Sequence, residues 1–333
     1  MRYTAVRRTD SKRKGYCMPE PLEWAKQGVL IVGNPISGRT RVGQYINAVT
    51  AAVRGLGTDA RVVTTGGPGD AERAAAEFDG GCILAFGGDG TFNEVLNGAH
   101  LDRCVLGIIP MGTGNVLGKE LRMPRRPLRA VRALADARVV EWDLPVCNGR
   151  RFASMVGAGL DAHIVNRVHR RRKGGLTQFH YVAPMLGEAV KPTRWDIRVE
   201  VDGEVLIEEG NVVVVGNVRS YGGPIEMTSK ADPTDGLLDV MAVRVRNPAE
   251  LTGPVIGCLT RMLHAFPGVR YKRGRTIRLS AERGDVPWQM DGDSAGELPV
   301  EISVEPGRLK LLAPARYGPR RPARGSVRGP VGK

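Results

Sequence analysis

Ala85-Phe86-Gly87-Gly88-Asp89-Gly90-Thr91-Phe92-Asn93-Glu94-Val95 is the stretch that decides the fold. The apolar run from Cys82 to Phe86 predicts a short buried strand. It ends in a glycine-dense turn and restarts as a helical pattern through Val95 and Leu96. Glycines let the chain turn sharply, and without Cβ atoms they let a charged group approach the amides. Unpaired N–H groups at the start of the next helix then favour an anion such as phosphate. Asp89 stands out, because a carboxylate beside a phosphate repels it unless a cation or a proton mediates. The combination predicts handling of nucleotide phosphates with Mg²⁺ nearby. The plainer alternative is a tight strand-to-helix turn with a solvated Asp.

Two further turns of the same kind flank it. Val29-Leu30-Ile31-Val32 reads as a strand running into Gly33-Asn34-Pro35-Ile36-Ser37-Gly38, where a hydroxyl can meet a phosphate oxygen. A Walker A loop, GxxxxGK[ST], occurs nowhere. A helix through Tyr45, Ile46, Val49, Ala52 and Val53 follows, then a strand over Arg61–Thr65 and a helix over Ala71–Phe78. Val105–Pro110 is another strand, followed by Met111-Gly112-Thr113-Gly114-Asn115 and a helix over Arg125–Ala137. Successive strand-turn-helix units imply right-handed crossovers and a parallel sheet, whose ligands bind at the C-terminal ends of the strands. Asn34, Pro35, Ile36, Ser37 and Gly38, then Thr65, then Gly87, Gly88, Asp89, Gly90, Thr91, Phe92 and Asn93 all fall at such ends.

From Val139 the pattern changes to short β-branched segments at Arg198–Val201, Asn211–Val215, Leu238–Val245, Thr276–Leu279 and Val300–Val304, which predict an antiparallel sandwich. The expected division is a basic tail over 1–28, a nucleotide-binding α/β domain over 29–138, a β-sandwich substrate domain over 139–315 and a basic tail over 316–333. Gly157-Ala158-Gly159-Leu160-Asp161-Ala162 fits the GxGxxA dinucleotide fingerprint only nominally, since no acid follows until Glu188. Asp232-Pro233-Thr234-Asp235-Gly236-Leu237-Leu238-Asp239 is an oxygen-rich loop suited to Mg²⁺, or else an Asp-Gly hairpin turn. The charge run His169–Lys173 reads as a solvated helix face. The apolar helical spacings at Leu176–Val190 and Leu251–Phe266 fit core packing better than a lipid-tail groove.

Asn34-Pro-x-Ser-Gly, Gly87-Gly-Asp-Gly-Thr and Pro110-x-Gly-Thr-Gly-Asn, in this order and spacing, resemble the diacylglycerol kinase catalytic-domain family, which includes bacterial soluble lipid kinases and sphingosine kinases. The resemblance implies a phosphofructokinase-like parallel-sheet domain followed by an antiparallel β-sandwich, and phosphoryl transfer from ATP to a lipid hydroxyl. It places residues 34–38, Thr65, residues 87–93 and Thr113 around the ATP. It places a structural Mg²⁺ at the Asp235 carboxylate, with backbone oxygens from Asp232 and Leu237. Tyr221-Gly222-Gly223 is similar to a further family segment, and Asp161 falls in a segment near the family's cleft. Asp291-Gly292-Asp293 resembles a late Asp-Gly-Glu motif whose Glu accepts the proton, so Asp293 is the expected base, with Asp89 and Asp291 as alternatives. Many bacterial members carry Asp after the motif Asn, whereas Val116 follows Asn115 here.

The chain has 333 residues, 42% hydrophobic and 25% charged, enough for two domains with real cores. No apolar run approaches the ~20 residues of a membrane span, and the first residues lack a signal-peptide core, so the expected location is cytoplasmic with peripheral membrane association. Cys17, Cys82, Cys104, Cys147 and Cys258 show no CxxC spacing, and reduced thiols are expected. The net charge of +14 is concentrated in the two ends, and aromatics for base stacking are scarce at 5%. That excludes a nucleic-acid partner and leaves anionic lipid as a partner for the basic tails, beside the lipid substrate; a homodimer is a further expectation. Two alternatives stay open: a NAD-kinase-like enzyme, which shares GGDGT, and a non-catalytic lipid- or nucleotide-binding homologue.

Overall fold

The structure is a computed structural model that describes residues 23–35, 42–112, 114–170, 195–221, 226–245 and 268–318, with scattered positions between 250 and 266. Side chains are described up to residue 167 of the segment ending at 170. Among the expected features, Ile36, Ser37, Gly38, Thr113, Gly222, Gly223, both basic tails up to residue 22 and from 319, the run 171–173 and the apolar stretch 176–190 lie outside the described residues. So does most of 251–266.

The first domain alternates strand and helix: β1 (Val29–Gly33), α1 (Ile46–Arg54), β2 (Ala60–Thr64), α2 (Asp70–Ala76), β3 (Gly81–Gly87), α3 (Asp89–Gly98), β4 (Cys104–Pro110), α4 (Val116–Glu120) and α5 (Pro127–Ala135). The strands pair in parallel in the order β2-β1-β3-β4. β1 and β3 are buried along their whole length, which explains why they read as unbroken apolar runs rather than alternating ones. β2 lies at the edge and leaves Val62 exposed. α3 buries Phe92, Val95 and Leu96 on one side. It packs so close to α2 that a methyl group at Gly98 would lie 2.0 Å from the Glu72 carbonyl oxygen.

The chain then makes β5 (Arg138–Cys147), β6 (Arg150–Arg151), β7 (Met155–Gly159), α6 (Leu160–Arg170), β8 (Ile197–Val201), β9 (Glu204–Gly210), β10 (Val212–Gly216), β11 (Leu238–Val243), β12 (Val269–Gly274), β13 (Thr276–Ala281), β14 (Pro287–Met290), β15 (Asp293–Glu297) and β16 (Val300–Ala313). Six of these form an antiparallel sheet in the order β12-β11-β10-β7-β14-β15. It faces the antiparallel part of the larger sheet across a core that includes Phe152, Val199, Val213, Val240, Ile277, Trp288 and Ile302. This is the expected pairing of a parallel-sheet domain with an antiparallel sandwich.

β16 ties the two domains together. Its first half alternates buried and exposed residues in the sandwich and pairs with β13, while its last residues are buried on both faces and Leu311 pairs in parallel with Leu106 of β4. The register against β5 shifts between Glu305 and Leu309, around Pro306 and Gly307 (φ +62°). Pro-Gly reads in sequence as the end of a strand, but here it is a bulge inside one. The fingerprint-like Gly157 and Gly159 lie in β7, whose last residue leads directly into α6, so the segment does not form a phosphate loop after a parallel strand.

Candidate active site at the rim of the parallel sheet

Three turns converge at the C-terminal ends of β1, β3 and β4. The Asn34 amide donates to the Phe86 carbonyl at 3.1 Å, and the Met111 amide donates to the Gly87 carbonyl at 2.7 Å. Gly88 and Gly112 touch through their backbones: a methyl group at Gly112 would lie 2.7 Å from the Gly88 Cα. Only glycine allows this approach. The Thr65 amide bonds the Gly33 carbonyl at 2.9 Å, putting Thr65 beside the first turn.

Gly88 is the N-cap of α3 and contributes no side-chain cap, so the first-turn amides of this ten-residue helix remain for an outside acceptor. The residues of the turn divide by role. Thr91 and Phe92 are buried, with Phe92 in the apolar core and the Thr91 hydroxyl packed over Gly87. Gly90 is exposed at the surface of the turn. Asn93 points to the second domain.

Asp89 Oδ1 accepts the Leu117 amide at 3.2 Å, and the Val116 amide also bonds the carboxylate. Val116 therefore acts here through its backbone amide. A methyl group at Gly114 would lie 3.1 Å from Asp89 Oδ2, so glycine keeps that oxygen accessible. Burial raises the Asp89 pKa, and the nearby Asp291 charge adds to the rise, against the amides of Val116 and Leu117 and the Lys119 charge. Burial lowers the Lys119 pKa, helped by Arg125 and opposed by Asp89. The Lys119 Nζ is buried and has no hydrogen-bond partner among the described residues.

The second domain delivers two carboxylates from one hairpin. Asp291 (φ +51°) and Gly292 (φ +92°) form the two-residue turn between β14 and β15, with Met290 paired to Asp293. Both central residues are left-handed, which is the chemistry Asp-Gly supplies in such turns. Asp291 folds inward. Its Oδ2 accepts Asn93 Nδ2 at 3.0 Å and the Ala153 amide at 2.8 Å; its Oδ1 accepts the amides of Ser154 at 2.8 Å and Met155 at 2.9 Å. Burial raises its pKa against these four donors. With both oxygens doubly engaged, Asp291 clamps the domains rather than offering a free lone pair.

Asp293 is exposed at the exit of the turn and faces the first domain. A methyl group at Gly90 would lie 3.6 Å from Asp293 Oδ2. The carboxylate thus stands opposite the start of α3, across the gap between the domains.

Neighbouring residues that the sequence reading did not single out hold this geometry. Asn97 Nδ2 donates to the Arg151 carbonyl at 3.0 Å, and its Oδ1 accepts the Arg151 amide at 3.0 Å. Gln289 Oε1 accepts the Gly292 amide at 2.7 Å, and its Nε2 donates to Asp161 Oδ2 at 3.0 Å. Asp161 is buried and also accepts the Tyr221 hydroxyl, so it supports the hairpin from behind, and burial pushes its pKa up to about 7. A polar pair four residues apart on α3, Asn93 and Asn97, beside the apolar Phe92, Val95 and Leu96, was the available signal for an interdomain face.

The 232–237 loop lies apart from this rim, before β11. Asp235 Oδ2 pairs with Arg273 at 3.0 Å, and its Oδ1 accepts the Leu237 amide at 3.1 Å. Asp232 Oδ1 accepts the amide and hydroxyl of Thr234. Asp143 accepts the amides of Gly236 at 2.7 Å and Gly307 at 2.9 Å. Asp239 is fully buried with one carboxylate oxygen unpartnered. Burial raises the pKa of Asp235, with the charges of Asp232 and Asp143 adding to the rise. Among the described residues no three His, Cys, Asp or Glu side chains cluster as metal ligands. The surplus of negative charge and the hard oxygen donors nevertheless fit a Mg²⁺ held by one carboxylate and backbone carbonyls.

Fold and rim together define a two-domain protein with an anion-receptive sheet edge closed by carboxylates from a β-sandwich. Two family models match it, the diacylglycerol kinase catalytic domain over residues 28–147 and the YegS C-terminal NAD kinase beta sandwich-like domain over residues 154–313. A diacylglycerol kinase of Staphylococcus saprophyticus subsp. saprophyticus is 30% identical over 290 residues, covering 85% of this chain and 94% of the relative. One from Staphylococcus carnosus is 29% identical over 290 residues, covering 85% and 94%. A crystal structure of a diacylglycerol kinase from Bacillus anthracis str. Sterne shares the fold with a TM-score of 0.72 at 22% identity, covering 87% of this chain and 98% of that one. The chain belongs to the diacylglycerol kinase family.

Proposed function

We propose that this protein is an ATP-dependent lipid kinase that transfers the γ-phosphoryl group to the hydroxyl of diacylglycerol or a sphingoid-type lipid. The observation that carries the reading is the Asp293 carboxylate set against Gly90, so that the two domains bring a base and a phosphate-receptive turn to one gap. Phosphoryl transfer needs positioning and charge neutralisation more than covalent chemistry. ATP would supply the phosphoryl group, and a Mg²⁺ held at Asp89 would supply charge neutralisation for it.

The chain's own residues do the rest. Amides of the Asn34–Gly38 and Gly87–Asn93 turns and of the turn containing Thr113 hold the phosphates, with Thr65 at their edge. Asp89 would hold the metal through Oδ2, the oxygen that Gly114 leaves accessible. Asp293 Oδ takes the proton from the lipid hydroxyl as that oxygen attacks phosphorus. Asp291 and Asn93 keep the domains at the distance this requires. The Asp235 carboxylate and backbone oxygens of Asp232 and Leu237 would hold a second Mg²⁺, which would stiffen the loop before β11. The lipid hydroxyl is reached at the bilayer surface; among the described residues no helix is long and apolar enough to cross a membrane.

The test is transfer of labelled phosphate from ATP to diacylglycerol, a sphingoid base and NAD presented separately. Labelled lipid is the expected product. Transfer to NAD alone would make the protein a NAD-kinase-like enzyme, and nucleotide binding without transfer would make it a non-catalytic homologue.

A further inference from the structure

α5 turns an arginine-rich face to solvent, with the exposed Asp136 at its C-cap. Its other face, Pro127, Ala130, Val131 and Leu134, is buried, and the helix packs against α1 and β4. Arg125, Arg126, Arg129 and Arg132 are exposed on the outer side together with Arg122 from the preceding turn. Leu128 is 38% exposed among them. No acidic residue occurs from Leu121 to Ala135, and α1 beside it carries none. Among the described residues, no carboxylate pairs with Arg125, Arg126, Arg129 or Arg132. Like charges crowded on one helix repel each other.

The face also begins close in the chain to the site. Six residues separate α5 from α4, whose Leu117 amide bonds Asp89 at the rim of the cleft.

We propose that the α5 face is where the protein lies on an anionic bilayer, its arginines among the headgroups and Leu128 in the interface. The charge complementarity is to a leaflet carrying acidic phospholipid, and each cation near such a surface strengthens partitioning by about fivefold. Single-stranded nucleic acid shares the charge but stacks its bases on aromatics, and no aromatic residue occurs from Val116 to Glu141. The proposal deepens the lipid-kinase reading by bringing the cleft to its substrate. Vesicle binding requires no turnover, so either can fail while the other stands.

The experiment is co-sedimentation of the full chain with phosphatidylcholine vesicles, with and without phosphatidylglycerol. The chain should bind only the anionic vesicles and release at high salt. Replacing Arg125, Arg129 and Arg132 together by Gln should weaken binding by roughly 100-fold, from about fivefold per charge. The same three changed to Lys should retain it, which separates charge from folding. Replacing Arg320, Arg321 and Arg324 by Gln should leave most of the binding intact. The proposal is overturned if the wild-type chain ignores anionic vesicles, if the Lys and Gln triples lose binding equally, or if the C-terminal substitutions abolish it. Loss of affinity by the Gln triple for polyuridylate but not for vesicles would overturn it as well.

Discussion

Asn93 and Asp291, 198 residues apart in the chain, meet at 3.0 Å across the gap between the domains. The same carboxylate also takes the amides of Ala153, Ser154 and Met155. One side chain thus fixes the middle of α3, the start of β7 and the hairpin turn that carries Asp293. Asp291→Ala should leave three backbone amides and one side-chain amide without an acceptor, costing about 3–5 kcal/mol, whereas Asn93→Ala should cost about 1 kcal/mol. Urea unfolding of the two single variants and the double variant measures this. A coupling near zero would mean that the contact does not tie the domains together.

Gly112 and Gly88 make the other close approach. Gly112→Ala places a methyl group 2.7 Å from the Gly88 Cα and must push the two phosphate-binding turns apart. Nucleotide affinity should fall at least about tenfold while stability falls by only about 1–3 kcal/mol. Calorimetric titration with ATP, beside a thermal melt, checks both. Unchanged affinity would mean that the two turns do not act on one ligand.

The motif turns and the parallel sheet were legible because local chemistry dictates them. A buried strand between two helices has to be apolar throughout, and the Gly87–Gly90 and Met111–Gly114 turns need glycine where backbones touch. The Asp-Gly hairpin was legible for the same reason. The division of labour inside the motifs was not. Phe92 belongs to the phosphate motif by position but to the core by packing, and Asp291 and Asp293 are separated by one residue yet one is held by four donors while the other is exposed opposite Gly90. The Asp291 donors and the Gln289–Asp161 support come from distant segments, which no local pattern reports. The length of β16 was hidden by Pro306-Gly307, whose bulge lets one strand serve both domains.

Asp161 makes stability depend on pH. Its folded carboxyl is pushed up to about 7 by burial, from an ordinary value of 3.8. Between those values the folded protein holds a proton that the unfolded chain has released. The contribution is therefore full below 3.8 and is lost as pH rises through about 7. Asp161→Asn removes the charge and keeps an acceptor for Gln289. Its melting temperature relative to wild type should rise by several degrees from about pH 5 to about pH 8. A constant difference across that range would show that Asp161 does not carry the proton.

The most direct measurement concerns Asp293, whose carboxylate faces Gly90 across the gap. In Asp293→Asn the amide fills the same space without accepting a proton. Single-turnover transfer from ATP to the lipid acceptor should slow by at least about 10²–10⁴-fold, the range general-base removal produces, while the ATP dissociation constant changes less than about threefold. Transfer at the wild-type rate, or a collapse of ATP binding that accounts for the whole loss, would contradict a base supplied by one domain to a phosphate held by the other.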